Sequence, residues 1–202
     1  MPSPIRTYLE VGKTWIFACA LDWPGWCRRG RGEEGAIDAL LDYADRYAVV
    51  AGSRFTPGEP TIVGRVPGNM TTDFGAPGVP GGWDAKPLGV TETAQHTGLL
   101  ARCWEVFDEV VATAPSALPK GPRGGGRDRD AIVDHVREAE RGYAPKVGVR
   151  VPPRTPWPQQ RATLLEALRA GVPDARWPAR YSIRRLAWHL LDHAWEIEDK
   201  ST

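Results

Sequence analysis

Residues 67–90 are rich in glycine and proline, have little hydrophobic periodicity, and separate two stretches with different patterns. Before this segment, apolar residues alternate with polar ones or form short runs, which is typical of strands. After it, apolar residues recur at helical spacing. A run of strands followed by a run of helices favours the α+β class. We therefore expect a small N-terminal β-β-β-α-β domain over residues 1–66, a linker or lid over 67–90, and a C-terminal four-helix bundle over 91–202.

The first part contains four candidate strands and one candidate helix. Its first strand alternates in the manner of a half-buried strand, and one face carries Ile5, Thr7, Leu9 and Val11. Further strands are expected over residues 15–21, 26–29 and 61–66. Glu33 and Glu34 suit the positive N-terminal end of a helix, and the apolar face of that helix continues to Tyr47.

The second part contains four helical patterns separated by loops. Helices are expected over about 91–114, 130–143 and 181–199, with a third helix in chain order that starts near Pro156 or Pro158 and ends at Gly171. Four helices joined by loops are typical of a four-helix bundle.

The strongest chemical signal lies in the last of these helices. His189 and His193 are separated by one helical turn and share one face, so that both imidazoles can reach the same ion. Helices with an HExxH motif bind zinc in this way. Here the three intervening residues are Leu190, Leu191 and Asp192. The glutamate of that motif is missing, which excludes a metalloprotease of the HExxH type.

A third histidine extends this pair. On a helical wheel, His135 lies at the flank of the apolar stripe of its helix, as His189 and His193 do on theirs. Three neutral histidines with an open coordination position suit zinc, nickel, iron(II) or cobalt. Glu196 lies near the same flank and is the candidate catalytic residue, as a base. Its alternative roles are a fourth metal ligand or a hydrogen-bond partner of a ligand histidine. Two alternatives remain open. If four protein ligands fill the coordination sphere, with Glu196 or His96 as the fourth, the metal is purely structural. If no metal binds, the pair His189 and His193 is only a feature of the helix surface.

A basic, glycine-rich loop precedes the helix of His135. Lys120, Arg123 and Arg127 lie in it, close to a helix N-terminus that attracts anions. The loop does not end in Gly-Lys-Ser/Thr and is therefore not a P-loop. We expect these three residues to bind an anionic substrate, and a solvated loop without a ligand is the alternative.

Two segments carry a resemblance to a known family. Residues 130–140, around His135, are similar to the second helix of the DinB/YfiT-like superfamily, which holds its first metal histidine. Residues 184–198, with His189 and His193, resemble the last helix of that superfamily and its HxxxH pair.

The resemblance covers roughly residues 91–202 and implies a four-helix bundle with a histidine-triad metal. Characterised members are thiol-dependent S-transferases and isomerases that use mycothiol, bacillithiol or glutathione. It therefore implies a divalent metal cofactor, with zinc favoured and nickel or iron as alternatives, and a low-molecular-weight thiol. The expected function is that of a metal-dependent enzyme acting on small, anionic molecules, namely a mycothiol-like S-transferase or a related isomerase or hydrolase.

The N-terminal segment, about residues 4–66, resembles the HicB-type antitoxin fold. The resemblance rests on the strands, the Pro24-Gly25 break, Gly30, and the helix that opens with Glu33-Glu34-Gly35-Ala36. No DNA-binding tail of the antitoxin kind follows these residues. The alternative function is therefore a non-catalytic protein-interaction module on a metal-stabilised helical scaffold.

The net charge and the cysteine content limit the classes of binding partner and the kind of cysteine chemistry that we expect. Lys and Arg number 26 against 25 Asp and Glu, a net charge of +1, so nucleic acid and membrane surfaces are not expected partners. The three cysteines match no zinc or CxxC spacing and are expected to be reduced thiols. The N-terminus lacks a signal-peptide pattern, which predicts a cytoplasmic location. A homodimer is one oligomeric state that the sequence leaves open.

Overall fold

The computed structural model describes residues 3–53, 55–120 and 126–201. In these ranges the chain forms a four-stranded sheet and seven α-helices. The fold is mixed α+β, as the sequence predicts. No helix in the described ranges combines the length and the apolar character needed to cross a membrane.

The strands come from the N-terminal third of the chain. They are β1 (Ser3–Val11), β2 (Ile16–Ala20), β3 (Cys27–Gly30) and β4 (Pro57–Pro67). The sheet order is β3-β2-β1-β4, in which β1, β2 and β3 pair antiparallel and β4 runs parallel to β1. All four predicted strands are present, and β4 starts earlier than the predicted 61–66.

Two helices connect β3 to β4, where the sequence pattern predicts one. Helix α1 (Gly32–Asp42) ends at Tyr43, whose backbone leaves the helical region, and α2 (Ala44–Ala51) follows. Trp26 lies between β2 and β3 and connects the two helices to this part of the sheet. Its indole Nε1 donates a hydrogen bond to the Leu40 carbonyl at 2.8 Å. The Trp26 ring also stacks on Tyr47, with an interplanar angle of 11°.

The glycine- and proline-rich segment is held against the sheet. It contains the short helix α3 (Met70–Phe74) and a 3₁₀ turn over Gly82–Ala85. The buried Glu10 carboxylate on β1 accepts hydrogen bonds from the backbone N–H groups of Gly78 and Val79 and from the Thr72 hydroxyl. One buried side chain therefore anchors much of the segment to β1.

The four helices predicted for the second part are α4 (Val90–Thr113), α5 (Arg129–Tyr143), α6 (Trp157–Ala170) and α7 (Ala179–Ser201). A 3₁₀ turn, Ala144–Val147, follows α5 directly. Helix α7 is central, because it contacts α4, α5 and α6 and is buried along most of its length.

One hydrophobic cluster joins the sheet to the helices. Its members include Leu9 on β1, Leu40 on α1, Phe107 on α4 and Leu190 on α7. The strands and the helices thus share a core, which includes apolar residues of α7. The domain boundary at 67–90 stays a prediction.

Candidate metal centre

Three histidine side chains from two helices converge at one point. His135 comes from α5, and His189 and His193 come from α7. One ring nitrogen from each lies within 4.8 Å of the others. The Nε2 atoms of His135 and His189 are 3.3 Å apart. Two nitrogens that bind one tetrahedral ion at 2.0–2.1 Å are about 3.3–3.4 Å apart, so this spacing fits a shared zinc-type ion.

The position of the triad follows from the helix faces. The neighbouring Leu190 and Val136 point into the core and are fully buried. The histidines lie at the edge of these apolar stripes, where His189 is 5% exposed, His193 is 9% exposed and His135 is half-buried. A ligand set at the border between core and solvent combines a dry environment with one accessible side.

Burial keeps two of the imidazoles neutral. It is the largest cause that lowers the pKa of His189, well below the ordinary value, and of His135 to a smaller extent. The nearby charge of His193 lowers the pKa of both rings further. Neutral imidazole is the form that binds metals, since the ligand nitrogen must carry a free lone pair. The environment therefore favours the binding-competent form.

Glu196 contacts His193 from three residues further along α7. Its Oε2 lies 2.7 Å from Nδ1 of His193, and its Oε1 accepts from Nζ of Lys200 at 2.5 Å. The hydrogen bond from His193, followed by that from Lys200, lowers the pKa of Glu196 to about 2. A carboxylate bound to Nδ1 leaves Nε2 of His193 free for a metal ion, an arrangement common in zinc sites.

Tyr143 and Arg185 also lie close to the triad, although the sequence pattern did not identify them as site residues. The Tyr143 ring lies 5.9 Å from the His189 ring, and the Arg185 guanidinium lies over Tyr143 at 5.1 Å. Nδ1 of His189 is buried and has no hydrogen-bond partner among the described residues. Arg185 precedes His189 by one helical turn, and that spacing was the available signal for its proximity.

The predicted substrate-binding residues of the basic loop differ in their relation to the histidine triad. Arg127 is exposed, and its charge adds to burial in lowering the pKa of both His135 and His189. Lys120 pairs with Asp128 at 2.7 Å. Arg123, the third predicted substrate-binding residue, lies outside the described residues. Of the two described cations, Arg127 is therefore the one with an electrostatic effect on the triad.

His96 is not part of the cluster. It is buried in α4, and its charged neighbours are Glu92, Arg180 and Arg184. Burial, with a smaller effect of Arg180, lowers the pKa of His96 to about 4. The candidate ligand set in the described residues is thus limited to three histidines.

No model of a known protein family matches this chain, and neither a curated protein nor a solved structure matches it. The resemblances to the DinB/YfiT-like superfamily and to the HicB-type fold stay predictions.

Proposed function

We propose that this protein is a metal-dependent enzyme that acts on a small, anionic molecule. The observation that carries the proposal is the convergence of His135, His189 and His193, with Nε2 atoms of the first two at 3.3 Å. Three histidines leave a tetrahedral or five-coordinate ion with a position for a reactant, which distinguishes catalytic from structural sites. Zinc is the favoured ion, with nickel and iron(II) as alternatives.

We further propose that α4–α7 form a DinB-like four-helix bundle around this site. The order of the histidines along the chain and their location on the second and fourth of these helices support this assignment. So does the central place of α7, which contacts the other three helices.

The proposed reaction is S-transfer with a low-molecular-weight thiol, or a related isomerisation or hydrolysis. When bound, the ion would lower the pKa of a coordinated thiol or water and so supply a nucleophile near neutral pH. Glu196 orients His193 by accepting a hydrogen bond from its Nδ1–H. Arg127, and Arg185 beside His189, provide positive charge for an anionic substrate.

Metal analysis tests the ligand set. We expect the purified protein to bind one zinc ion per chain and His189→Ala to lose it. His96→Gln is the matched control, since this histidine is buried outside the triad. A wild-type protein that binds no divalent ion after incubation with zinc would overturn the proposal.

Cobalt substitution tests the open position. In protein reconstituted with Co²⁺ in place of zinc, 2-mercaptoethanol should produce a sulfur-to-cobalt charge-transfer band. The band should be absent in His189→Ala. Cobalt that binds without any spectral response to the thiol would reject S-transfer at this site while leaving the metal assignment intact.

A further inference from the structure

Two cysteines face each other across the hairpin formed by β2 and β3. Cys19 and Cys27 are directly paired in the antiparallel register, and their side chains lie on the same face. Their sulfur atoms are 2.6 Å apart, in a thiol–thiol contact. A disulfide bond is about 2.05 Å long and joins Cα atoms about 4.4–6.8 Å apart, a range that includes directly paired residues of antiparallel strands. Bond formation therefore needs little movement of either strand.

A small cavity borders both sulfur-bearing residues. Its volume is about 10 Å³, and Tyr8, Arg184 and Trp188 are among the other residues that line it. A volume of this size accommodates about one water molecule. The cysteines are 2% and 5% exposed, so a hydroperoxide, which is larger than one water molecule, reaches them only when the lining side chains move apart slightly.

Positive charge lies beside the pair. The Arg184 guanidinium is buried, pairs with Asp84 at 2.6 Å and interacts electrostatically with Cys19. Burial, the contact with Cys19 and the nearby charge of Glu10 raise the pKa of Cys27 well above its usual range, and the charge of Arg28 opposes this effect only in part. Because a thiolate is the reactive form, we expect the pair to react slowly, and the direct contact of the two sulfur atoms is what favours formation of a disulfide.

We propose that Cys19 and Cys27 form an oxidation site, which a small hydroperoxide converts into an intrachain disulfide. One thiolate attacks a peroxide oxygen, so that an S–O bond forms and the O–O bond breaks. The hydroxide released takes up the thiol proton to give water. The second sulfur then displaces hydroxide from the sulfenic acid, the S–S bond forms, and the second proton completes another water. Two electrons pass from the two sulfurs to one molecule of hydrogen peroxide.

The disulfide would join the two strands next to α7, the helix that carries His189 and His193. The Trp188 ring lies against Phe17 on β2, at a centroid distance of 6.0 Å, and Trp188 directly precedes His189. The proposal concerns residues outside the triad and stands whether or not the triad binds a metal.

Oxidation of the whole protein tests the assignment. The purified protein is treated with hydrogen peroxide or with dithiothreitol, unfolded, and titrated for free thiols. We expect the number of free thiols to fall from three to one after peroxide. The intact mass should decrease by two hydrogen atoms, and peptide mapping should join the Cys19 and Cys27 peptides. The oxidised form should have a Tm higher by roughly 5 °C, because the crosslink restricts the unfolded chain.

Cys103→Ala is the matched control, since Cys103 is also buried but lies in α4 and not in the β2–β3 hairpin. This variant should lose two thiols on oxidation, whereas Cys27→Ala should form no intrachain crosslink. Should Cys27→Ala fail to fold, the peptide map of the oxidised wild type decides the question. Three free thiols after peroxide, a crosslink that involves Cys103, or addition of oxygen atoms to Cys19 and Cys27 in place of a crosslink would overturn the proposal.

Discussion

Nδ1 of His193 lies 2.7 Å from Oε2 of Glu196, one turn further along α7. This contact determines which ring nitrogen of His193 is free to bind a metal ion together with His135 and His189. With Nδ1–H donated to the carboxylate, Nε2 carries the lone pair and points away from Glu196. The same carboxylate also binds Lys200, so its own position is fixed from a second side. Glu196 therefore holds His193 in the tautomer and orientation that a metal ligand needs.

Replacing Glu196 with glutamine should weaken metal binding without abolishing it. The amide keeps the size of the side chain but loses the negative charge that orients and strengthens the ligand. Loss of such a partner typically lowers metal affinity roughly 10–100-fold. Competition for zinc against a chelator of known affinity measures the change.

Glu198→Gln is the control for this measurement. Glu198 lies on the same helix and pairs with Arg46 at 2.5 Å, away from the histidines. Its variant should bind zinc like the wild type. Equal affinities for Glu196→Gln and the wild type would contradict the orienting role.

Gly30 marks a close approach between β3 and the start of α1. A Cβ atom at this position would collide with the backbone of Gly35 and with the backbone nitrogen of Ala36. Neither of these groups is a flexible side-chain end that can move aside. The absence of a side chain at Gly30 therefore allows the helix to pack directly on the strand.

Gly30→Ala should destabilise the protein by about 3 kcal/mol or more, since it forces backbone displacement in a packed region. Gly98→Ala offers a contrasting substitution, because Gly98 is exposed in α4 and nothing lies within 4 Å of its added Cβ. That change should stabilise the protein by about 0.5–1 kcal/mol through helix propensity. Urea unfolding of both variants checks the two signs, and a Gly30→Ala protein as stable as the wild type would exclude the close approach.

Local periodicity was enough to predict the main elements of the fold. The alternation around Leu9 and the helical spacing around Leu190 each arise from a single buried face, which the sequence records directly. The pair His189 and His193 could be predicted for the same reason, because a spacing of four residues in a helix determines proximity. The proximity of His135 to this pair depends on how α5 packs against α7. The only sequence signal for it was the position of His135 at the flank of the apolar stripe of its helix.

Other features depend on contacts between distant residues and have no local signal. Helix α1 ends at Tyr43, where the backbone leaves the helical region, although the apolar pattern continues through this residue. The hydrogen bonds of Glu10 to Gly78 and Val79 join positions that no periodicity relates. The contact of Cys19 with Cys27 depends on strand register, which spacing alone did not determine.

A buried carboxylate links three helices of the second part. Glu140 on α5 is 1% exposed and accepts hydrogen bonds from Nε1 of Trp104 at 2.6 Å and from Nε1 of Trp157 at 2.5 Å. Gln160 on α6 donates to the same carboxylate at 3.3 Å. Because Trp104 lies on α4, a single side chain connects α4, α5 and α6.

Glu140→Leu should destabilise the protein by about 3 kcal/mol, because it leaves both indole N–H groups without an acceptor. Glu140→Gln retains one acceptor oxygen and should cost less, about 1 kcal/mol. Urea unfolding measures both. Glu138→Ala serves as the reference, since this residue is two positions away, 56% exposed at its side chain and paired with Arg141, and its loss should change stability by less than about 0.5 kcal/mol. Equal stabilities of Glu140→Leu and Glu138→Ala would contradict the proposed linking role.

The stabilising effect of Glu140 should depend on pH. Burial raises the pKa of Glu140, although the hydrogen bonds from Trp157 and Trp104 oppose this effect. The folded protein therefore holds the proton more tightly than the unfolded chain, in which a glutamate has a pKa of about 4.3. The corresponding stability is complete below the unfolded pKa and is lost as the pH rises through the folded pKa. Glutamine does not titrate, so the free energy of unfolding of the wild type minus that of Glu140→Gln should be larger at pH 4 than at pH 7. Urea unfolding of both proteins across this range measures that difference, and a difference that grows with pH would show that the hydrogen bonds outweigh burial at this site.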